Sequence, residues 1–542
     1  MSAASIPHPH QSAPVRAAAL ASVIPVVLAG ACAAALPLTL FYRLILVHFY
    51  VRGAVLLDSG LLASLMWHSP ISLPMPESLG GSSFFAIHVA PLLLAISALS
   101  RILPLSMPQL FAGFIGVSHA LLALGAFWLL VDGFRLDRGR NLIMAALAAS
   151  AFACNGLAVS IVLMPHFELF GAACLILFLC ALTLRRIRLA SIWFALALAT
   201  REDVGLHAFG FLATWIAYNW WRGVPWQQTR RLAAFAIASL AYAVTVLLWQ
   251  HRMFPGTSSF VRIYLGWPPF SHIGLHLIAM RLAGWTVFHS AILVSLIATA
   301  WWAARVGNAA PLLGYMACLP WALLHLLAAS VLAGLMAGYY AYPFLIAMAW
   351  PWLAAVDPTA PPALRPRGAL PAWALLGLSL VTMVVPELAW NPGRMQLSQA
   401  FLEVPSAEQQ RLTDRSIDDI VSARPTLGRL VVDQSVASLA PRAFSHAEIA
   451  GWNKGPADTV VYLENGYDAA SLRGLPDLPT HVAVAGTTLR IRTNRPAQGW
   501  NDSVVCIRVA GNAKFGLTEL VYSQSRYFTH DLHSGATWPS AD

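Results

Sequence analysis

Through roughly the first 388 residues, apolar side chains fall in long runs broken by short polar connections, and the pattern changes after Glu387. A helix that crosses a bilayer needs about 20 apolar residues, fewer where neighbouring helices bury it. Runs of this kind lie near 18–40, 108–131, 142–164, 168–184, 188–201, 203–221, 232–250, 287–304, 309–333, 339–356 and 369–388. They predict an α-helical polytopic membrane domain over residues 1–388 with about eleven crossings. The stretch Val27 to Cys32, after Arg16, has the outline of a lipoprotein cleavage site, but the apolar run continues to about Leu40, which favours an uncleaved anchor.

Two apolar stretches do not fit as crossings. Phe84 to Ser100 is short and contains His88 and Pro91, so it reads as a juxtamembrane or re-entrant helix whose broken backbone must be buried by protein. Asp58 to His68 has apolar positions at 61, 62, 65 and 66, the spacing of a short helix lying on the membrane. Both belong to a long first outer loop over residues 49–107.

Beyond the last run, residues 389–542 read as a small soluble α/β domain. Ser406-x-x-Gln409 signals a capped helix, with Leu412, Ile417, Ile420 and Val421 at helical spacing. Strand-like runs follow at Leu430 to Val432, Thr459 to Leu463, His481 to Arg492 with Gly486 at a turn, and Ser503 to Val509.

Composition agrees with a bilayer as the main solvent: 58% of residues are apolar, 11% are charged, and the mean hydropathy is +0.64. The net charge of +10 comes almost wholly from Arg, since Lys occurs only at Lys454 and Lys514. These bases sit in short clusters between apolar runs and form no stripe with interleaved aromatics, which argues against a nucleic-acid partner. Five of six cysteines lie in apolar runs and Cys506 is alone in the soluble part, so no disulfide framework or redox pair is expected. There is no Walker loop, no GxGxxG turn after a strand and no GxSxG elbow.

Arginine placement sets orientation. Arg135/Arg138/Arg140, Arg185/Arg186/Arg188, Arg222/Arg230/Arg231, Arg305 and Arg365/Arg367 occupy alternate connections, which are expected to be cytoplasmic. The N-terminus is then expected to be cytoplasmic, the C-terminal domain periplasmic or extracytoplasmic, and the chain a multi-pass protein of a plasma membrane. The outer face receives Asp58, His68, His88, His166, Glu168, Arg201, Glu202 and Asp203, together with the loop from His251 to about Thr286. Ionisable groups beside a hydrocarbon layer are costly unless paired or hydrated, so their gathering marks a candidate site. Each also has a purely structural explanation: Asp58 and Glu168 as favourable charges at helix N-termini, and Arg201, Glu202 and Asp203 as a self-neutralising junction. A divalent cation finds candidate ligands among these acids and histidines, although no HxxxH or HxH spacing singles any out.

In order along the chain, Asp58-Ser59-Gly60 through Trp67, His88-Val89-Ala90-Pro91, His166-Phe167-Glu168 and Arg201-Glu202-Asp203 resemble the motifs of a bacterial family of predicted membrane proteins grouped with the GT-C superfamily of glycosyltransferases. The resemblance covers about the first 350 residues and, more loosely, Val431 to Ser435 and Asp458 to Val461. This chain departs from the pattern at Ala63, where the family often has a second acid, and at Arg201, where it has Lys.

The resemblance implies a GT-C-like fold and a sugar moved from a polyprenyl-phosphate donor to a lipid or glycan acceptor at the outer face of the membrane. It implies Asp58 as the catalytic base in the first outer loop. Arg201, Arg262 and Arg281 are then candidates for holding the lipid phosphate. Glu168, Glu202, Asp203, His88 and His166 are candidates for orienting the base or binding substrate hydroxyls. Trp67, Trp267 or Tyr340 would pack on a sugar face. The rival readings are a secondary transporter, for which no inverted repeat is evident, and a non-catalytic lipid-binding or assembly protein, which Ala63 keeps open. A single site requires Asp58, His88, Glu168 and Asp203 to converge.

Overall fold

The computed structural model describes residues 13–495 apart from 69–71, 80, 163, 256–259, 361, 365–367, 389–397, 454, 476 and 485, with the side chains of 13–22, 68, 78, 262 and 385–388 also left undescribed. Arg365, Arg367, Cys506 and the expected strand from Ser503 to Val509 lie outside the described residues.

α1 (Ala13–Val47) continues through a π-turn to Arg52. The outer loop then carries α2 (Leu61–His68) and α3 (Pro91–Ser100). α4 (Met107–Trp128), α5 (Gly139–Ala153), α6 (Gly156–Ile161), α7 (Glu168–Thr183), α8 (Ile187–Leu198), α9 (Val204–Trp221) and α10 (Trp226–Met253) build the first part of a bundle. α11 (Leu275–Phe288), α12 (Ser290–Val306), α13 (Leu313–Leu326), α14 (Val331–Gly334), α15 (Pro343–Val356) and α16 (Leu370–Leu388) complete it.

A helix therefore stands at each of the eleven expected positions, but length supports fewer independent crossings. Four stretches are long and apolar enough alone: Val23–Arg52, Met107–Gly133, Gly139–Ile161 and Trp226–Met253. Two pairs of helices bent by 84° and 48° bring the number to six. The shortfall has a physical cause visible in α7, whose 16 residues reach about 24 Å against a hydrocarbon layer of roughly 30 Å. Nearly every residue of α7 is buried by other helices, so protein rather than lipid surrounds it. α3, with ten residues, is far too short to cross, and the Ser100 hydroxyl ties it to α2 by donating to the Trp67 carbonyl at 3.3 Å.

The two ends of the bundle differ in chemistry. Thr183, Tyr218, Arg222 and Asp357 line a cavity at one end, and Trp215 Nε1 donates to Asp357 there at 3.1 Å. The first outer loop, the turn before α7 and the α8–α9 junction meet at the opposite end, joined by bonds described below.

The C-terminal part holds α17 (Gln399–Leu402), α18 (Ala407–Ala423), α19 (Gln434–Leu439) and α20 (Ala469–Arg473). Ser406 and Gln409 form the expected capping box at α18, with Gln409 N–H donating to Ser406 Oγ at 3.1 Å and Ser406 N–H to Gln409 Oε1 at 2.7 Å. β1 (Leu430–Val432), β2 (Thr459–Leu463), β3 (Thr480–Ala483) and β4 (Leu489–Thr493) make one sheet in the order β1-β2-β4-β3. β1 and β2 run parallel, while β4 is antiparallel to both β2 and β3. Gly486 turns between β3 and β4 at φ +74°, a conformation that glycine adopts without a Cβ penalty.

This domain is docked on the first outer loop. Arg52 makes a forked ion pair with Glu403, Nε at 2.8 Å and Nη2 at 2.5 Å. The Tyr50 hydroxyl donates to Asp414 at 3.1 Å, Gln109 donates to Gln410 at 3.0 Å, and the Tyr50 carbonyl accepts from Thr488 at 2.5 Å. Leu56, two residues before Asp58, is fully buried within the domain's own core beside Val436, Ala437 and Ile449. Truncating a buried Leu to Ala typically costs about 2–5 kcal/mol. Leu56→Ala should accordingly destabilise the detergent-solubilised protein by that order, read as a lowered denaturant midpoint; an unchanged midpoint would show that the joint contributes nothing.

Candidate functional site

Asp58 belongs to the π-turn Leu56–Gly60 that leads into α2. Its backbone carbonyl accepts from Leu61 N–H, but its carboxylate has no hydrogen bond or ion pair among the described residues. The capping role available to it in sequence is therefore not taken up. The side chain is half-buried, and burial pushes its carboxyl up to about 6. Its charge is felt by Tyr339 and Tyr340 of the turn Gly338–Ala341 and by Tyr467 of the soluble domain.

Tyr339 leads from Asp58 to the other acids. Its ring stacks on His166 with centroids 4.1 Å apart, and His166 Nδ1 bonds Glu168. Glu168, 0% exposed at the start of α7, also accepts from Arg201 Nη1. Arg201 turns its remaining face to Asp203, with Nε donating at 2.6 Å and Nη2 completing a fork. One buried guanidinium thus joins the start of α7 to the junction before α9. Burial alone would raise the Asp203 carboxyl, but Arg201 overrides it and holds the group below the ordinary carboxylate value. His166 is pushed well below the usual imidazole value by burial, with Arg201 and His88 acting in the same direction, so it is neutral at pH 7.

Glu202 faces the other way. It accepts from Val89 N–H at 2.9 Å and bonds His88 Nδ1 at 2.8 Å, fastening the first outer loop to the α8–α9 junction. Bonds link His166, Glu168, Arg201 and Asp203, the Arg201-Glu202-Asp203 junction adds the His88–Glu202 pair, and Tyr339 and Tyr340 lie within electrostatic reach of Asp58.

Other candidates fall elsewhere. Arg281 is buried and donates to the Leu326 carbonyl at 2.7 Å, so it satisfies the end of α13 and makes no ion pair among the described residues. Trp67 is partly buried against the bundle core. The side chains of Arg262 and His68 lie outside the described residues. Trp267 is 85% exposed, away from the cluster's bonds. Arg201, a candidate for phosphate, has its donors directed to Glu168 and Asp203 instead.

No three His, Cys, Asp or Glu among the described residues are arranged to hold a metal ion. Glu168, Glu202 and Asp203 are each engaged by Arg201 or His88.

Sequence reasoning missed His207 and Tyr467. His207 lies one turn after Asp203 with Nε2 3.9 Å from its carboxylate, and that nitrogen has no hydrogen-bond partner among the described residues. The i,i+4 spacing from Asp203 was the available signal. Nothing local marked Tyr467, which reaches the site through domain docking.

Removing one member of a buried ion pair commonly costs about 3–5 kcal/mol because the other charge is left uncompensated. Arg201→Ala should destabilise the solubilised protein by that order, with Glu168→Gln on the same background recovering part of the loss in a double-mutant cycle. Equal stability of Arg201→Ala and the parent in denaturant titrations would contradict the pairing.

Two crystal structures of ArnT from Cupriavidus metallidurans are similar to this chain. The one bound to undecaprenyl phosphate gives a TM-score of 0.43 at 13% identity, covering 86% of this chain and 97% of that one. The apo structure gives 0.40 at 13% identity, covering 83% and 95%. No family model matches the chain. No curated protein matches it either. At this identity the likeness concerns the course of the chain, and no residue role is transferred through it.

Proposed function

We propose that the protein is a membrane glycosyltransferase of GT-C type, moving a sugar from a polyprenyl-phosphate donor to a hydroxyl of a lipid or glycan acceptor on the outer face, with Asp58 as the base. The observation that carries this reading is a contrast between carboxylates. Glu168, Glu202 and Asp203 are engaged by Arg201, His88 or backbone, whereas Asp58 alone in the cluster keeps its oxygens unpartnered and its carboxyl raised to about 6. A general base works best with a pKa near the operating pH and with a free lone pair directed into a cleft.

In the proposed step the acceptor oxygen attacks the anomeric carbon while the bond from that carbon to the phosphate oxygen breaks. The lipid phosphate leaves with the bonding electron pair, and the acceptor proton passes to Asp58. The donor class comes from the sequence resemblance, and the tyrosines within electrostatic reach of Asp58 offer hydroxyls and ring faces suited to a sugar. With its own charge committed, Arg201 acts by fixing the cluster's geometry.

Membranes carrying Asp58→Asn, assayed with polyprenyl-phosphate sugars, should transfer at least about a hundredfold more slowly than the parent, the usual scale of base catalysis. Because the base must be ionised, the parent rate should fall as pH drops through about 6 and level off above it. Transfer that persists undiminished in Asp58→Asn would rule out the mechanism.

A further inference from the structure

The soluble domain meets the outer loop closely on both sides of Asp58. A Cβ on Gly53, whose φ is +89°, would press on Ser435 Oγ and lie 2.7 Å from the Gly466 Cα. A Cβ on Gly60 would lie 2.6 Å from Ser438 Oγ and 2.9 Å from the Ser438 Cα. Ser438 also donates to the Ala54 carbonyl at 3.0 Å. With Leu56 plugged into the domain core, the whole stretch from Gly53 to Gly60 is gripped by α19 and the turn before it.

That grip continues into a second loop. Ser435 Oγ accepts from Tyr467 N–H at 2.9 Å, Asp433 Oδ1 from Asp468 N–H at 2.9 Å, and Asp468 Oδ2 from Gln434 N–H at 3.3 Å. These bonds lace the turn after β1 to the loop after β2, at the carboxyl ends of two parallel strands, where open sheets often place binding loops. Tyr467, 46% exposed, is carried there within electrostatic reach of Asp58. The titratable groups facing Asp58 are thus Tyr339 and Tyr340 from the bundle and Tyr467 from the soluble domain, while His48 at the end of α1 bonds the adjoining Ser59 at 2.9 Å.

We infer that the soluble domain forms one wall of the reaction site, with Ser435 and Ser438 positioning the Asp58 turn and Tyr467 contacting the hydroxyl-bearing acceptor. This rests on the reading of Asp58 as base. Tyr467 has a free face and a hydroxyl that can bond an acceptor oxygen, whereas Tyr339 is stacked on His166. The domain's docking would couple acceptor recognition to placement of the base.

Two readouts test the inference in the full chain. In kinetics with polyprenyl-phosphate sugars, Tyr467→Ala should raise the acceptor KM about tenfold with little change in kcat, the signature of lost ground-state binding. Independently of turnover, carbodiimide labelling of Asp58 followed by mass spectrometry should show a pH midpoint near 6 in the parent. In Gly60→Ala the added methyl pries the wall away, and the midpoint should move toward the ordinary value of about 4. An unchanged denaturant midpoint of solubilised Gly60→Ala separates a local wedge from misfolding. An unchanged acceptor KM in Tyr467→Ala overturns the contact, and an unmoved midpoint in Gly60→Ala overturns the positioning. Full activity in Asp58→Asn with a shifted midpoint would sink the base assignment alone.

Discussion

The site depends on one buried guanidinium. Arg201 is 5% exposed and sits between Glu168, which is fully buried, and Asp203. A carboxylate sealed among helices would ordinarily take up a proton or fail to be buried, because desolvating a charge costs several kcal/mol. The planar fork of Arg satisfies two carboxylates from two directions, which the point charge of Lys would do less well. The bridge fixes the start of α7 against the α8–α9 junction, and Glu202, the intervening residue, is left to hold His88 and Val89.

With those charges committed, the acids of this end of the bundle divide into two kinds. Three are engaged, and their burial is compensated by specific partners. Asp58 has no such partner, so burial raises its carboxyl and keeps it close to neutrality's edge. Environments that drive carboxyl groups apart in acidity are the common arrangement by which one acid takes part in proton transfer while others hold structure. His166, kept neutral by burial, accommodates Glu168 without adding a further buried cation.

Local features of the fold were legible in sequence where the physics is local. The Ser406–Gln409 capping box, β1 and β2 at their full extents, and the Gly486 turn follow from capping chemistry, β-branched runs and backbone freedom. The short helices of the loop over residues 49–107 followed from apolar spacing at 61, 62, 65 and 66 and from a run too short to cross that holds His88 and Pro91. Crossing number was less legible, because α7 and α8 are shorter than a bilayer and α7 owes its place to neighbours. Arg281 was legible as a charge in the outer loop, but its partner, the Leu326 carbonyl, lies 45 residues on. Leu56 read as one more apolar residue of a membrane loop, while it belongs to the core of a domain that begins more than three hundred residues later.

Gly60 shows how such long-range packing hides in a short motif. An Asp-Ser-Gly sequence suggests a turn that uses glycine's freedom to adopt positive φ. Gly53, Gly81 and Gly486 do adopt it, but Gly60 is not among the positive-φ glycines of this chain. What its position requires is size: the Ser438 Cα, Cβ and Oγ all occupy the space a methyl would need. The motif is therefore shaped by a surface from the other end of the chain, and the residue beside Asp58 is small because the soluble domain closes on it.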